Sequence, residues 1–368
     1  MSLLDWLKDQ FSTDAIQRTR IPISVQNDLT SKSGVIAKAD QHYVRLWFSE
    51  LFLQRNTEWF TTRFPLGYSL VSLKFGDEPK VEFANVAGKN KFDIGQVNQD
   101  RSVMRNFPMT PLLPFRGGDI EMDCGLVSME AGNLLESFAK TVGDIAAKLN
   151  IPQASSVITI ASSIATGVQE LLGTGKSKTM LTAHDMFTGQ TLTSGYALLS
   201  SRPRSEFEGK TVWITPDGVR LGSSKDALSP LQPQDFLVVF VECITTRDDW
   251  QSFSAIGGPL DKAIEAKLGG REDEAKLLLV QAKVAAMTSP DLTRNDAKRV
   301  VAAVQSYFND EAGITETVNK IAINAGNESA FSDSDGPYMH FAQAMDLFPV
   351  ENASELPEFS YESLASKV

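Results

Sequence analysis

Apolar residues recur along this chain first at helical spacing, then at strand spacing, and then in alternating blocks of each. The opening stretch MSLLDWLKDQF places Leu3, Leu4, Trp6, Leu7 and Phe11 on one helical face, which predicts a short amphipathic helix within residues 1–20. From residue 21 the runs Ile21–Val25, Tyr43–Leu53, Trp59–Phe64, Ser69–Phe75 and Val81–Val86 are rich in aromatic and β-branched residues. Gly, Pro and Asn lie between them, and strands are expected. The apolar density of Tyr43–Leu53 would also suit a helix. The segment 104–118, MRNFPMTPLLPFRGG, carries three prolines and ends in two glycines, so a loop or an extended arm is expected there. Asp119–Val127 returns to alternation.

The period changes near residue 130. Leu134, Leu135, Phe138, Ala139, Val142, Ile145, Ala146 and Leu149 form one helical stripe, stopped by Asn150 and Pro152. Val157, Ile158, Ala161, Ile164, Ala165, Val168, Leu171 and Leu172 form a second, closed by Gly173 and Gly175. Together they predict a helical hairpin at 131–173. Strand character resumes in Thr179–Thr182, Thr191–Leu199, Thr211–Thr215 and Val219–Leu221, with Pro216-Asp217-Gly218 as a tight-hairpin signal. Phe236–Ile244 is apolar except for Glu242 and reads as a buried strand. The two β-rich blocks could form one sandwich-like domain or two.

Helical periodicity takes over near Asp249. Residues 259–268 and 272–287 are helix-rich, and Ser289-Pro290-Asp291-Leu292-Thr293 is a break. Thr293 or Asp291 then caps a helix carrying Ala297, Val300, Val301, Val304 and Phe308, and a further short helix is expected after Gly313. Residues 327–368 hold eight acidic residues against one Lys, with weak periodicity. The expected class is α+β. A sandwich-like β-rich domain spans 21–248 with the helical hairpin inserted at 131–173. It follows the N-terminal helix of 1–20 and precedes a small helical bundle at 249–326 and an acidic tail at 327–368, expected to be partly disordered.

Composition narrows the function more than the fold. The chain has 368 residues, a formal net charge of −11 and a pI near 4.9. That balance argues against nucleic acid, whose binding rests on Lys and Arg neutralising phosphates. Two Cys make no disulfide framework or cysteine-rich zinc site, and three His restrict general-base chemistry. Asp5, Lys8 and Asp9 interrupt the N-terminal apolar run, unlike a secretory signal, so a cytoplasmic location is expected.

Each motif with a chemical reading has a plainer one. Gly173-Thr174-Gly175-Lys176-Ser177 has Glu170 where a phosphate loop needs glycine, and its helix precedes the glycines instead of following them. It reads as a helix end. Cys124 could act as a nucleophile with a histidine such as His184, but alternation puts it on an apolar strand face as an inert thiol. Asp119, Glu121 and Asp123 share the other face at steps of about 7 Å, too spread for one Ca²⁺ without loop ligands. Phe331-Ser-Asp-Ser-Asp-Gly336 lacks the first and last ligands of a calcium loop, where Phe331 and Ala342 stand. His42, His184 and His340 belong to no zinc motif. No cofactor, metal site or catalytic residue is assigned.

Three segments could dock elsewhere. Trp6 and Leu7 lie on the N-terminal helix. Residues 149–169 carry no charge, and Ile160 and Ile164 sit there among small residues suited to burial, to close packing in an oligomer, or to membrane entry on a trigger. Tyr338, Phe341, Leu347 and Phe348 lie in the acidic tail, a composition that suits docking in a partner's groove. The expected function is a non-catalytic protein-binding or assembly module: an adaptor, a scaffold or a protease target within a larger system. A protein partner or a second copy of the chain is expected to bind it. The alternatives are a conditionally membrane-active protein using 131–172 and a hydrolase with an unrecognised site.

Overall fold

The computed structural model describes residues 19–53, 57–58, 61–75, 78–87, 102–130, 177–231 and 234–325. The described strands are β1 (Thr19–Pro22), β2 (Tyr43–Leu53), β3 (Thr57–Glu58), β4 (Thr61–Phe75), β5 (Glu78–Ala87), β6 (Ser102–Pro108) and β7 (Leu113–Pro114). They continue as β8 (Ile120–Glu130), β9 (Ser177–Phe187), β10 (Gly195–Ser200), β11 (Thr211–Thr215), β12 (Gly218–Gly222), β13 (Leu228–Pro230) and β14 (Phe236–Ile244). Three α-helices follow among the described residues: α1 (Ser254–Leu268), α2 (Glu272–Thr288) and α3 (Arg294–Ala325). One compact unit runs to Phe308, and the second begins at Asn309, within α3.

Antiparallel sheets and helices thus make a mixed fold. The largest sheet has the order β1-β10-β14-β2-β6, with β7 also on β2. In the second sheet β4 carries β3 and β5 along one edge and β8 along the other, with β9 outermost. β11, β12 and β13 form a small third sheet. Each larger sheet holds strands from both β-rich blocks: β10 and β14 lie between β1 and β2 in the first, and β9 pairs with β8 at the edge of the second. The two blocks therefore fold together.

The centre of the largest sheet is buried on both faces. Along β14, Leu237, Val239, Val241 and Cys243 join the core shared with the second sheet, while Phe236, Val238 and Phe240 join a core under the third. This is why β14 reads as an unbroken apolar run: neither face meets water. β2 shows the same burial in disguise. Phe48 pairs with Val239 and Glu50 with Val238, so Ser49 is an extra residue, a β-bulge. Before it Val44, Leu46 and Phe48 face the shared core; after it Leu51 and Leu53 do. Phe52 turns to the opposite face and stacks on Phe236 with ring centroids 5.2 Å apart. One phase slip in a two-residue period removes the alternation, which explains the helix-like appearance of this strand.

Two further expectations change. Ser102–Pro108 is the edge strand β6 and not loop, and its proline is the last residue, where a missing ladder donor is tolerated. The helix expected to begin after Gly313 is instead the continuation of α3, which runs through that glycine. Mid-helix glycine costs about 1 kcal/mol and does not by itself end a helix.

Buried polar groups hold the layers in place. Glu50 accepts from the Val219 N–H at 2.9 Å and meets Arg105 at 3.4 Å, tying the β11–β12 turn to β2. Gly218 in that turn has φ +103°, and a Cβ there would lie 2.2 Å from Glu50 Oε2, so both backbone and approach require glycine. At the start of the bundle Thr293 caps α3, its Oγ1 accepting from the Asp296 N–H at 3.2 Å. Asp296 accepts from Tyr43 Oη at 2.7 Å, from the Arg247 N–H at 3.2 Å and from Arg299 Nε at 2.6 Å. Burial first, and the Asp296 carboxylate second, push the Tyr43 hydroxyl well above its ordinary pKa, so it remains a donor. Arg247 is itself buried, bidentate to Asp249 at 2.6 and 2.7 Å, with its guanidinium 4.6 Å from the Phe253 ring centroid.

Asp296→Ala leaves the Tyr43 hydroxyl and the Arg247 amide without an acceptor. Its expected cost is about 3 kcal/mol, against about 1–2 kcal/mol for Tyr43→Phe, read from urea unfolding. Asp28 makes the case for pH. Burial raises its pKa, but the side chains and amides of Thr30 and Ser33 outweigh that and hold it below the usual carboxylate range. Such a group stabilises the fold above the unfolded carboxylate value of about 3.9, and loses that contribution as pH falls through its lower folded value. The stability gap between wild type and Asp28→Asn is therefore expected to be full at pH 6 and to narrow below about pH 4.

Candidate interaction surface

Helix α2 has the sequence EDEAKLLLVQAKVAAMT. Glu272, Asp273 and Glu274 occupy its first turn, where negative charge meets the positive end of the helix dipole. The alanines, leucines, lysines and glutamine that follow are good helix formers. The helix ends at Thr288, before Ser289-Pro290, because a residue preceding proline is driven to extended backbone.

Successive helical residues are turned by about 100°. Ala275, Leu279, Ala282 and Ala286 therefore share one face, and all four are buried with Ile256, Leu260, Ala263 and Ala266 of α1 and Val300 and Val304 of α3. Leu277, Val280, Val284 and Met287 share a nearly opposite face and are 60%, 54%, 55% and 51% exposed. Their spacing of three, four and three residues is that of a coiled-coil seam, about 15 Å long. A single exposed apolar side chain is ordinary; here four in register over three turns form one continuous exposed stripe. Lys276 and Lys283 run along one edge of this stripe, and Glu274, Gln281 and Thr288 along the other. Lys276 Nζ is 3.9 Å from Asp273, and Lys283 donates to Gln305 of α3.

The sites expected from sequence fare differently. Trp6, Leu7, Ile160, Ile164, Tyr338, Phe341, Leu347 and Phe348 lie outside the described residues, as do the 131–172 hairpin, Gly173–Lys176 and the segment around Phe331. The described ends of that hairpin segment are adjacent, because Met129 pairs with Ser177. Cys124 and His184 do not meet. Cys124 is fully buried between the sheets, and its thiol is pushed far above the usual range, by burial first and by the charges of Asp185 and Asp123 after it. His184 is on the neighbouring strand with its side chain half exposed, and its Nδ1 lies 3.0 Å from Asp123 Oδ1. The two alternate to opposite faces. Cys243 is buried with Val239 and Val241, its thiol pushed up by burial, and secondarily by Glu242, to about 12.

The acids before Cys124 are each engaged separately. Asp119 accepts from the Gly189 N–H at 3.0 Å, Glu121 meets Lys80 at 3.2 Å, and Asp123 meets His184. Among the described residues no three His, Cys, Asp or Glu side chains converge as metal ligands, and no helix is long and apolar enough to cross a membrane. A cleft of about 350 Å³ opens between β1, β9 and β10. Val239 and Val241 are on its floor, Thr191 and Thr193 line it, and the Arg20–Asp185 ion pair of 2.7 Å sits at its edge. Comparison with protein-family models, with curated proteins and with solved structures gives no match.

The α2 stripe was not singled out from sequence, although its signal was present. Between residues 275 and 287 only Lys276, Gln281 and Lys283 are polar, so apolar residues fill both broad faces of the helix. A helix apolar on both faces needs cover on both. The paired substitution Val280→Gln and Val284→Gln should shift stability by no more than about 0.5 kcal/mol, because neither side chain packs inward. Ala282→Leu on the buried face should cost about 1–3 kcal/mol through overpacking. Thermal melts of the three proteins check the assignment of faces.

Proposed function

We propose that this protein is a non-catalytic binding or assembly module whose partners are proteins, an adaptor or scaffold within a larger system. The observation that carries the reading is the apolar stripe Leu277, Val280, Val284 and Met287, displayed on a helix whose other face is already packed. An amphipathic helix lying along such a seam is a common mode of protein recognition. On this reading the sandwich-like β unit, with residues 131–173 inserted between β8 and β9, is the rigid body, and the bundle of α1–α3 presents the contact.

The setting of the stripe supports this role. The bundle is fastened to the β unit through Tyr43, Arg247 and Asp296, so force or position applied at α2 passes to a packed body and not to a loose arm. The test compares tagged full-length wild type with the Val280→Gln, Val284→Gln protein, each purified from its native cells and quantified by mass spectrometry. A protein recovered at near-stoichiometric level with wild type, and depleted at least tenfold with the variant, is the expected result. A partner held equally by both proteins, or none with either, would overturn the reading.

A further inference from the structure

Resting on the binding role proposed for α2, we infer that the occupant of its exposed stripe is an acidic amphipathic helix of another protein, lying with its carboxylates beside Lys276 and Lys283. The charges along the seam carry this. With Leu277 and Val284 at one core position of the heptad and Val280 and Met287 at the other, Lys276 and Lys283 occupy the same flanking position, seven residues apart. That flank presents a repeated positive charge to whatever covers the stripe. The opposite flank offers Gln281 and Thr288, and only Glu274 at its beginning carries charge.

A second copy of the chain fits this pattern poorly. In an antiparallel pair of α2 helices equivalent flanks face each other, so Lys276 would meet the second copy's Lys283 and like charges would oppose across the seam. In a parallel pair the lysines would face Gln281 and Thr288, with no charge gained. A helix of heptad pattern with Glu or Asp every seventh residue satisfies both the apolar seam and the lysine edge. Among the described residues neither lysine is committed to a strong ion pair: Lys276 is 3.9 Å from an exposed aspartate, and Lys283 donates to a neutral glutamine.

The probe is a pair of fluorescein-labelled three-heptad peptides with Leu at both core positions, one with Glu and the other with Lys at both flanking positions. Their like charges keep each peptide from pairing with itself. Binding to the full-length protein is read by fluorescence anisotropy at low salt. The acidic peptide is expected to bind about five- to tenfold more tightly than the basic one, from two attractive pairs replaced by two repulsive ones. Lys276→Glu with Lys283→Glu should reverse the preference. Lys276→Glu alone should narrow it, which covers the case in which loss of the Lys283–Gln305 contact disturbs the bundle. Val280→Gln with Val284→Gln should weaken both peptides. If the wild type binds both peptides equally and the lysine changes do nothing, the acidic partner is excluded while docking at the stripe stands. If neither peptide binds, the stripe is not a helix-docking surface and the proposed function falls with it. A dimer in sedimentation equilibrium that Val284→Gln dissociates would make a second copy the occupant and overturn the inference.

Discussion

The fold depends on a sheet that must be kept from water on both sides. β14 and β2, at the centre of the largest sheet, put apolar side chains on each face, and each face therefore needs a cover. The second sheet, through β4, β5, β8 and β9, covers one face, and the β11–β12–β13 sheet covers the other. At about 25 cal/mol for each Å² of apolar surface buried, neither cover can be left off cheaply. The topology follows from this demand. Strands from before and after residues 131–176 interleave, because one block alone does not supply the strands on both sides of β2 and β14.

Burial on this scale sets the layers but leaves their relative positions loosely specified, and a few buried polar groups supply the precision. Glu50 projects from the face of β2 opposite the shared core and captures the amide of Val219, so the small sheet can sit in only one register on the large one. Tyr43, at the first residue of the same strand and also turned away from the shared core, reaches into the bundle to meet Asp296 and Thr293. The bulge at Ser49 lets one strand serve both purposes. It shifts the phase of β2 between Phe48 and Glu50, so Leu51 and Leu53 keep the core while Glu50 and Phe52 turn away from it.

The helical bundle follows a different logic. Where α1 and α2 meet, its interior is lined by Ala263, Ala266, Ala275, Ala282 and Ala286, which permit close helix packing, while Trp250, Phe253, Leu260 and Phe308 supply apolar volume around them. Of the larger apolar residues of α2, Leu279 packs inward and Leu278 is partly buried against the core, while Leu277, Val280, Val284 and Met287 are turned outward. A helix built for the stability of its own bundle would place leucine and valine inside and polar residues outside. Here Leu277, Val280, Val284 and Met287 face solvent instead.

Much of the secondary structure was legible in the chain. β11 and β14 are bounded as their alternation and apolar run imply, Pro216-Asp217-Gly218 does join β11 to β12, and Thr293 caps α3. These are local effects of side-chain period, turn chemistry and capping, and the sequence states them directly. The bulge at Ser49 was illegible because a one-residue slip erases the pattern by which a strand is recognised. The interleaving of the two β blocks was illegible because pairing partners are chosen by register and burial across long separations. The α2 stripe was half legible: after its first turn the sequence shows a helix with two broad apolar faces, separated by Lys276 and Lys283 on one side and Gln281 and Thr288 on the other. Which side is filled by α1 and α3, and which is left facing solvent, is decided only by how the three helices pack, since burial belongs to the assembled neighbours and not to the residue that is buried.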